Sequence, residues 1–366
     1  MRILVLANDS IGFYNFRKEF LQRIIAEGHQ VYLSCPDGEK LQDLINLGCN
    51  YVPTNLARHG TNIIEELKLI KFYKQIMREI SPNFVFTYTI KPNIYGGIAA
   101  RSLKIPYVST ITGLGVAIEK KGLLRQLCLI LYRIGLKKSK MVFFQNKDNQ
   151  NFMISKKIVK DNYKLINGSG VNLNDYFPLE YPKNDNVEFF FIARIMRAKG
   201  IEEYIEAAKY CKKNNYNATF HILGGCEENY NQILTKAQEE GILIYHGLQE
   251  DMISFYKINH CTINPSYHEG MSNILLESSA CCRPSLCSNI AGCKEIIDDN
   301  VNGFLFEPKS SKSLIEAIDK FLALSYEQRK QMGINARQKV EKLFNRQLVV
   351  DEYMNIINCH TEEKNC

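Results

Sequence analysis

Cys261-Thr262-Ile263-Asn264-Pro265-Ser266-Tyr267-His268-Glu269-Gly270-Met271-Ser272-Asn273-Ile274-Leu275-Leu276-Glu277 passes from an apolar run, through a loop holding Gly270, into a second apolar run. The spacing predicts a buried strand, a loop and a helix over Asn273–Ala280, with Glu269 in the loop and Glu277 inside the helix. The same alternation extends outward. Upstream, strands are predicted at Val187–Ala193, Thr219–Leu223 and Ile242–His246, with helices at Ile201–Lys213, Tyr230–Glu240 and Met252–Ile258. Downstream come short strands near Ser285–Cys287 and Phe304–Phe306, then helices to the end. The first half repeats the pattern. Its strands are expected at Arg2–Ala7, Gln30–Ser34, Tyr51-Val52, Asn83–Tyr88, Tyr107–Thr110 and Met141–Gln145. Helices are expected at Tyr14–Ala26, Glu39–Leu47, Ile63–Ile80, Asn93–Leu103 and Leu123–Lys138. Such alternation argues for α/β architecture with parallel sheets.

The expectation is therefore two doubly wound, Rossmann-like domains facing across a cleft. The polar, aperiodic stretch Pro178–Asn186, with two prolines, reads as the linker. That gives a first domain over 1–178, a second over 187–330, and C-terminal helices over 331–366. In open sheets of this kind, ligands bind beyond the carboxyl ends of the strands.

The 366-residue chain has 45% hydrophobic and 23% charged residues, ordinary for a water-soluble globular protein. No stretch reaches the ~18 apolar residues of a membrane span. The apolar start Met1–Ala7 is too short for a signal-peptide core and reads as a buried strand. A cytoplasmic protein is expected, and with it reduced cysteines: the 12 cysteines show no C-x-x-C pair. Residues 1–180 hold 25 Lys and Arg against 14 Asp and Glu, and residues 181–366 hold 21 against 25. A basic first half and a mildly acidic second half suit different partners. No nucleic-acid partner is expected.

Glu269 and Glu277 stand eight positions apart, at most ~12 Å along a helix axis. Amides of the helix's first turn lie between them, where an anion is favoured. One carboxylate can accept from sugar hydroxyls and the other from ribose hydroxyls, with phosphates between. Taken alone, the spacing equally fits an exposed Glu and an ordinary helix Glu. A second element adds weight. The buried strand Phe189-Phe190-Phe191-Ile192-Ala193 delivers Arg194, and Lys199 follows before a helix. Arg offers a fork of donors and Lys a point charge, a pairing suited to a diphosphate.

With Arg-x4-Lys at Arg194 and Lys199, and Glu-x7-Glu at Glu269 and Glu277, the chain resembles glycosyltransferase family 4: retaining, nucleotide-sugar-dependent enzymes of the GT-B fold. The resemblance runs through the second domain, including Leu223-Gly224-Gly225. Gly113-Leu114-Gly115 and Asn167–Asn172 look like a bacterial subgroup that builds capsule, O-antigen or lipid-linked glycans. The resemblance implies roles for matched positions. Arg194 and Lys199 neutralise the leaving diphosphate, and Glu269 contacts the donor sugar. Glu277 binds the ribose, while Gly270, Met271, Ser272 and Asn273 supply backbone amides, and Gly224 and Gly225 line the donor. It further implies that no metal and no cofactor is required, and that helices 331–366 can cross back to the first domain. Many relatives carry a His in the loop after the fifth strand. Here the loop Ser109–Gly115 contains none.

Acceptor-side candidates lie at strand ends of the first domain: Gly12, Lys91, Thr112 and Gly113. One glycine stands where a dinucleotide fingerprint needs three, which argues against NAD. His268 adjoins Glu269, whereas His59 and His246 read as structural or exposed. Residues 119–140 hold seven Lys and Arg against one Glu, with Leu123, Leu124, Leu127, Ile130, Leu131 and Ile134 at helical spacing. That segment fits either a helix packed on the sheet or one lying on an anionic membrane. The function expected is transfer of a hexose or N-acetylhexosamine from a UDP-sugar to a polyprenyl-diphosphate-linked glycan at the inner membrane face. A nucleotide-sugar 2-epimerase is the alternative. A periplasmic-type sugar binder fits less well, for want of an export signal.

Overall fold

The computed structural model describes residues 1–54, 63–114, 118 and 122–365. Accordingly His59, Gly115 and residues 119–121 of the basic segment lie outside the described residues. Seven strands, β1 (Arg2–Leu6), β2 (Gln30–Cys35), β3 (Asn50–Pro53), β4 (Phe84–Tyr88), β5 (Tyr107–Ile111), β6 (Met141–Phe144) and β7 (Tyr163–Leu165), form the first sheet. Their order is β3-β2-β1-β4-β5-β6-β7, all parallel. Around them lie α1 (Ser10–Ala26), α2 (Leu41–Asn46), α3 (Ile63–Ile80), α4 (Gly97–Ser102), α5 (Leu123–Leu136) and α6 (Lys147–Ser155). Six strands, β8 (Val187–Ile192), β9 (Ala218–Leu223), β10 (Ile244–Tyr245), β11 (Cys261–Asn264), β12 (Ser285–Ser288) and β13 (Gly303–Phe306), form the second, in the order β10-β9-β8-β11-β12-β13. This sheet too is all parallel. Its helices are α7 (Ile201–Lys213), α8 (Asn231–Glu239), α9 (Met252–Ile258), α10 (Asn273–Ala280), α11 (Ser311–Leu322) and α12 (Tyr326–Leu343). A last helix, α13 (Arg346–Asn365), ends the chain.

Central strands are apolar along their whole length because helices cover both faces. Every residue of β4 and β5 is buried. Along β1, Ile3 and Val5 enter one core with α1, α2 and α13, while Leu4 and Leu6 enter another with α3, α4 and α5. That is the period-two alternation of a strand with two covered faces. Each sheet reverses its strand order once, between β1 and β4 in the first and between β8 and β11 in the second. These reversals are the switch points where open sheets bind ligands.

The chain divides into one unit of Met1–Ser169 with Arg346–Cys366 and a second of Gly170–Asn345. Two expectations are corrected. The boundary falls before Pro178, because the aperiodic stretch belongs to the second unit: the Val171 amide donates to Phe344 O, Tyr181 OH to His260 O, and Arg283 to the carbonyls of Leu179 and Glu180. The helices over 331–366 also do not travel together. α12 stays in the second unit, and only α13 returns to the first. There Tyr353 packs among Phe20, Phe86 and Phe143, and Arg346 meets Glu19 at 2.9 Å.

Candidate active site

The second sheet's switch point holds the charged quartet. Arg194 stands just beyond β8, Lys199 in a short 3-10 turn before α7, and Glu269 in the loop beyond β11. Adjacent strands bring the two loops together. Lys199 Nζ lies 2.6 Å from Glu269 Oε1, with side-chain exposures of 18% and 15%. The lacing continues through backbone and glycine. The Tyr267 amide donates to Ala198 O at 2.9 Å, and Tyr267 OH donates to Glu203 at 2.7 Å. Gly200 sits at φ +74, and a Cβ there would come within 2.1 Å of Pro265 O. Only glycine permits that approach.

Arg194 is more exposed. Its Nη1 donates to both carboxylate oxygens of Glu227, at 2.9 and 2.7 Å. Glu227 follows Gly224 and Gly225 in the loop beyond β9. Gly224 has φ +141, and a Cβ there would lie 1.9 Å from Ala193 O. Its amide donates to Gly247 O. A Cβ on Gly225 would meet nothing within 4 Å. The Ile195 amide donates to Gly225 O and the Glu227 amide to Ile195 O, tying this loop to the one that bears Arg194. Each cation thus carries a carboxylate partner that holds it in place. The guanidinium keeps Nη2 and Nε beyond the Nη1 fork for an anion.

α10 begins beyond Glu269. Ser272 caps it, accepting from the Leu275 amide, and Asn264 at the end of β11 donates to Ser272 Oγ at 2.7 Å. Ser266 in turn donates to Asn264 Oδ1. Asn273 and Gly270 flank the cap. Glu277, on α10, is buried beside Tyr256, whose phenol is pushed well above its usual pKa by burial and by that neighbouring charge. Glu269 and Glu277 therefore do bracket the helix start. One detail is corrected. The Ser272 amide already donates to Gly292 O at 2.9 Å and is not offered to a ligand. Met271 turns its side chain into the core with Leu275 and Leu276, which leaves its backbone as the part that can face a ligand. Gly292, at φ +84, packs against Gly270 and Glu269, where a Cβ would clash. His268 is exposed on the same loop.

The first sheet's candidates also share one edge. Gly12 follows β1, Lys91 follows β4, and Thr112 and Gly113 follow β5, three neighbouring strands. α1 starts earlier than predicted, so Gly12 lies inside its first turn. Its amide donates to the capping Asp9 at 2.6 Å, so that this donor is engaged in the cap. Lys91 lies 2.8 Å from Glu66, both mostly buried. The backbone there departs from regularity. Thr89 has φ +68, rare for a β-branched residue, and a π-turn spans Pro92–Gly96, anchored where Thr87 donates to Asn93 Oδ1 and Asn93 donates to Thr110 O. Strained backbone and π-turns concentrate at functional sites.

Sequence reading missed Glu227, Gly292 and Tyr256. Each lies far along the chain from its partner, and only the folded sheet joins them. It also missed a buried relay. Glu188 on β8 meets His221 Nε2 at 2.8 Å, and His221 Nδ1 meets His246 Nε2 at 2.9 Å. Burial opposes the Glu188 charge, but hydrogen bonds from His221 and Asn186 prevail and hold its pKa below the ordinary value. Burial and His221 lower that of His246, and burial lowers that of His260. Among the described residues, no group of three or more His, Cys, Asp or Glu stands poised to hold a metal, and none of the cysteines forms a disulfide.

Comparison with known proteins now bears on this geometry. Residues 177–339 match the family model described as glycosyl transferases group 1, and residues 2–146 match glycosyl transferase 4-like. The chain is 27% identical to an N,N'-diacetylbacillosaminyl-diphospho-undecaprenol alpha-1,3-N-acetylgalactosaminyltransferase of Campylobacter jejuni, over 88% of this chain and 89% of that one. It is 23% identical to the capsular polysaccharide biosynthesis glycosyltransferase CapM of Staphylococcus aureus, over 98% and 97%. Among solved structures, Anabaena Alr3699/HepE in complex with UDP and glucose superposes with a TM-score of 0.80 at 17% identity, over 98% of this chain and 99% of that one. Both halves of the molecule therefore answer to one kind of enzyme, and the chain belongs to the GT-B glycosyltransferases, with a 4-like domain followed by a group 1 domain.

Proposed function

We propose that the protein transfers a hexose or N-acetylhexosamine, with retention, from a UDP-sugar to a glycan carried on a polyprenyl diphosphate. The observation that carries this reading is the Lys199–Glu269 pair at the β8/β11 switch point, with Arg194 one loop away. The names of relatives supply the substrate class. The Campylobacter enzyme acts on a diphospho-undecaprenol-linked sugar, and an Escherichia coli relative, 26% identical, is described as a UDP-Gal:alpha-D-GlcNAc-diphosphoundecaprenol alpha-1,3-galactosyltransferase. Transferase descriptions in these relatives favour transfer over 2-epimerisation.

In the reaction proposed, the acceptor hydroxyl oxygen bonds the anomeric carbon on the face from which UDP departs. The bond from that carbon to the β-phosphate oxygen breaks, its electron pair leaving with UDP, and the departing phosphate takes the acceptor's proton. Negative charge grows on the diphosphate, so Arg194 and Lys199 stabilise the transition state more than the ground state. These two cations do the work without a metal. Glu277 accepts from the ribose hydroxyls and Glu269 from the sugar, alongside the loop amides and the open face at Gly225. Gly12, Lys91, Thr112 and Gly113 serve the acceptor. A lipid-linked acceptor requires the enzyme to work as a peripheral protein on the cytoplasmic face of a membrane.

The test is a screen of nucleotide sugars for binding and slow hydrolysis, followed by mass analysis of products on lipid-diphosphate sugars. A sugar added to the acceptor, with the anomeric configuration of the donor, is the expected result. Conversion of a UDP-sugar with no acceptor present would turn the assignment to epimerisation. A covalent sugar adduct in Glu269→Gln would refute the front-face path.

A further inference from the structure

Helix α5 has two apolar faces. Leu129, Tyr132 and Leu136 point into the core beside α3 and α4. The residues that sequence periodicity marks as an apolar stripe mostly point outward. Leu123 is 90% exposed, Ile130 50%, Leu127 48% and Leu124 45%. Only Leu131 of that stripe is partly covered. α3 packs in the same layer, on the other side of α4, and Leu67 near its start is likewise 61% exposed. Helices of a parallel sheet begin at the strands' carboxyl edge, so Leu67, Leu123, Leu124 and Leu127 rim the edge that carries Lys91 and Thr112.

Cations interleave with this surface. Arg125 stands on α5 itself, its guanidinium 5.2 Å from the Phe152 ring, and Arg133 donates to Lys156 O at the helix's other end. Lys137 and Lys138 follow directly. A row of exposed leucine and isoleucine flanked by fixed cations complements a surface that is apolar below and anionic above. An anionic bilayer has that layering, and single scattered apolar residues do not call for such an explanation. No described helix is long and apolar enough to cross a membrane, so this contact lies in the plane of the interface.

We propose that the outer faces of α5 and the start of α3 form a docking surface for a bilayer containing anionic phospholipid. Leucine and isoleucine side chains enter the headgroup boundary, and Arg125, Arg133, Lys137 and Lys138 sit at phosphate level. The docked face is the one whose rim holds the acceptor-side residues, so a diphosphate emerging from the membrane would be presented to that edge. The proposal deepens the lipid-linked reading above by naming the protein's contact with its carrier.

Vesicle sedimentation of the full-length protein tests it without requiring turnover. Binding to phosphatidylcholine vesicles containing phosphatidylglycerol is expected, at least tenfold weaker to phosphatidylcholine alone and falling with salt. The variant Leu124→Gln/Leu127→Gln/Ile130→Gln replaces exposed side chains only and should keep its circular dichroism and melting temperature while losing at least tenfold in vesicle binding. Arg125→Gln/Lys138→Gln should lose mainly the preference for phosphatidylglycerol. Absence of vesicle binding by the unmodified protein overturns the proposal. So does a concentration-dependent dimer that the triple variant abolishes, since a second copy would then cover this face. Vesicle binding without transfer to any lipid-diphosphate sugar would leave the docking surface standing and sink the acceptor assignment. Transfer without vesicle binding would do the reverse.

Discussion

The two sheets share one strand order through six strands, β7 being the addition in the first, and differ in how they build their carboxyl edges. In the second, oppositely charged side chains and glycines lace the loops together: Lys199 to Glu269, Arg194 to Glu227, Gly200 against Pro265, Gly224 against Ala193. In the first, the edge relies on a capped helix start, one ion pair between Lys91 and Glu66, and an irregular backbone through Thr89 and the π-turn. The difference fits the division of labour proposed. A diphosphate presents the same dense charge in every donor, so a rigid array of cations can be fixed in advance. An acceptor glycan presents hydroxyls and apolar faces, which call for shape and local adjustment.

Removing one member of the rigid array should produce the largest effect. Lys199→Ala is expected to lower kcat by about 10²–10³-fold, the scale for loss of a single oriented transition-state contact, while far-ultraviolet circular dichroism stays unchanged. An unaltered turnover number would dissolve the contrast between the edges. Next in size are the glycines. Gly200→Ala and Gly224→Ala each force a Cβ onto a backbone oxygen at 2.1 and 1.9 Å, and each should cost about 1–3 kcal/mol or more in urea unfolding. Gly225→Ala, with nothing within 4 Å, should stay within about 0.5 kcal/mol and affect donor KM instead. Equal melting of all three variants would show that the lacing is not what holds the edge.

On the other edge, Lys91→Ala should raise the acceptor KM by about tenfold, the scale of one charge-assisted hydrogen bond, and leave UDP binding by calorimetry as it was. A matching loss of UDP affinity would place Lys91 with the donor. The smallest expected effect concerns pH. His246 and His260 have folded pKa values lowered by burial. The unfolded chain therefore binds protons first, and stability is complete above the unfolded histidine pKa of ~6.5 and declines as pH falls below it. Glu188, also lowered, adds a further loss toward the carboxylate range, of the same sign. Thermal melting between neutral pH and pH ~5 should show the decline, and His246→Gln should flatten it. Stability that rises on acidification would contradict the lowered pKa values of His246 and His260.

Legibility followed the same divide. The strands of both sheet centres read directly because burial on both faces imposes continuous apolar runs, as in Phe189–Ile192. β7 was missed: it is three residues at a sheet edge, with Lys164 exposed and paired to Glu352, so no hydrophobic signal marks it. α6 was missed as well, being polar, with Met153 its one buried residue among those described. The charged quartet was legible because two loops carry it at fixed spacing. Glu227 and Gly292 were not, because their partners are neighbours through the sheet and not along the chain. The stripe on α5 was legible as apolar, with core-facing and outward-facing readings both left open. Periodicity reports that a face exists, and only packing decides which of two faces the core receives.

The return of α13 to the first unit has a consequence for biosynthesis. Arg346, Tyr353 and Ile357 close a core whose other members, such as Ile3, Phe20 and Phe86, emerge from the ribosome long before them. The unit that is begun first must wait, incompletely sealed, until α13 has been made, whereas the unit Gly170–Asn345 has all its pieces as soon as Asn345 is added. A truncation just before Arg346 would thus strike the unit begun at Met1 and spare the one that it adjoins in sequence.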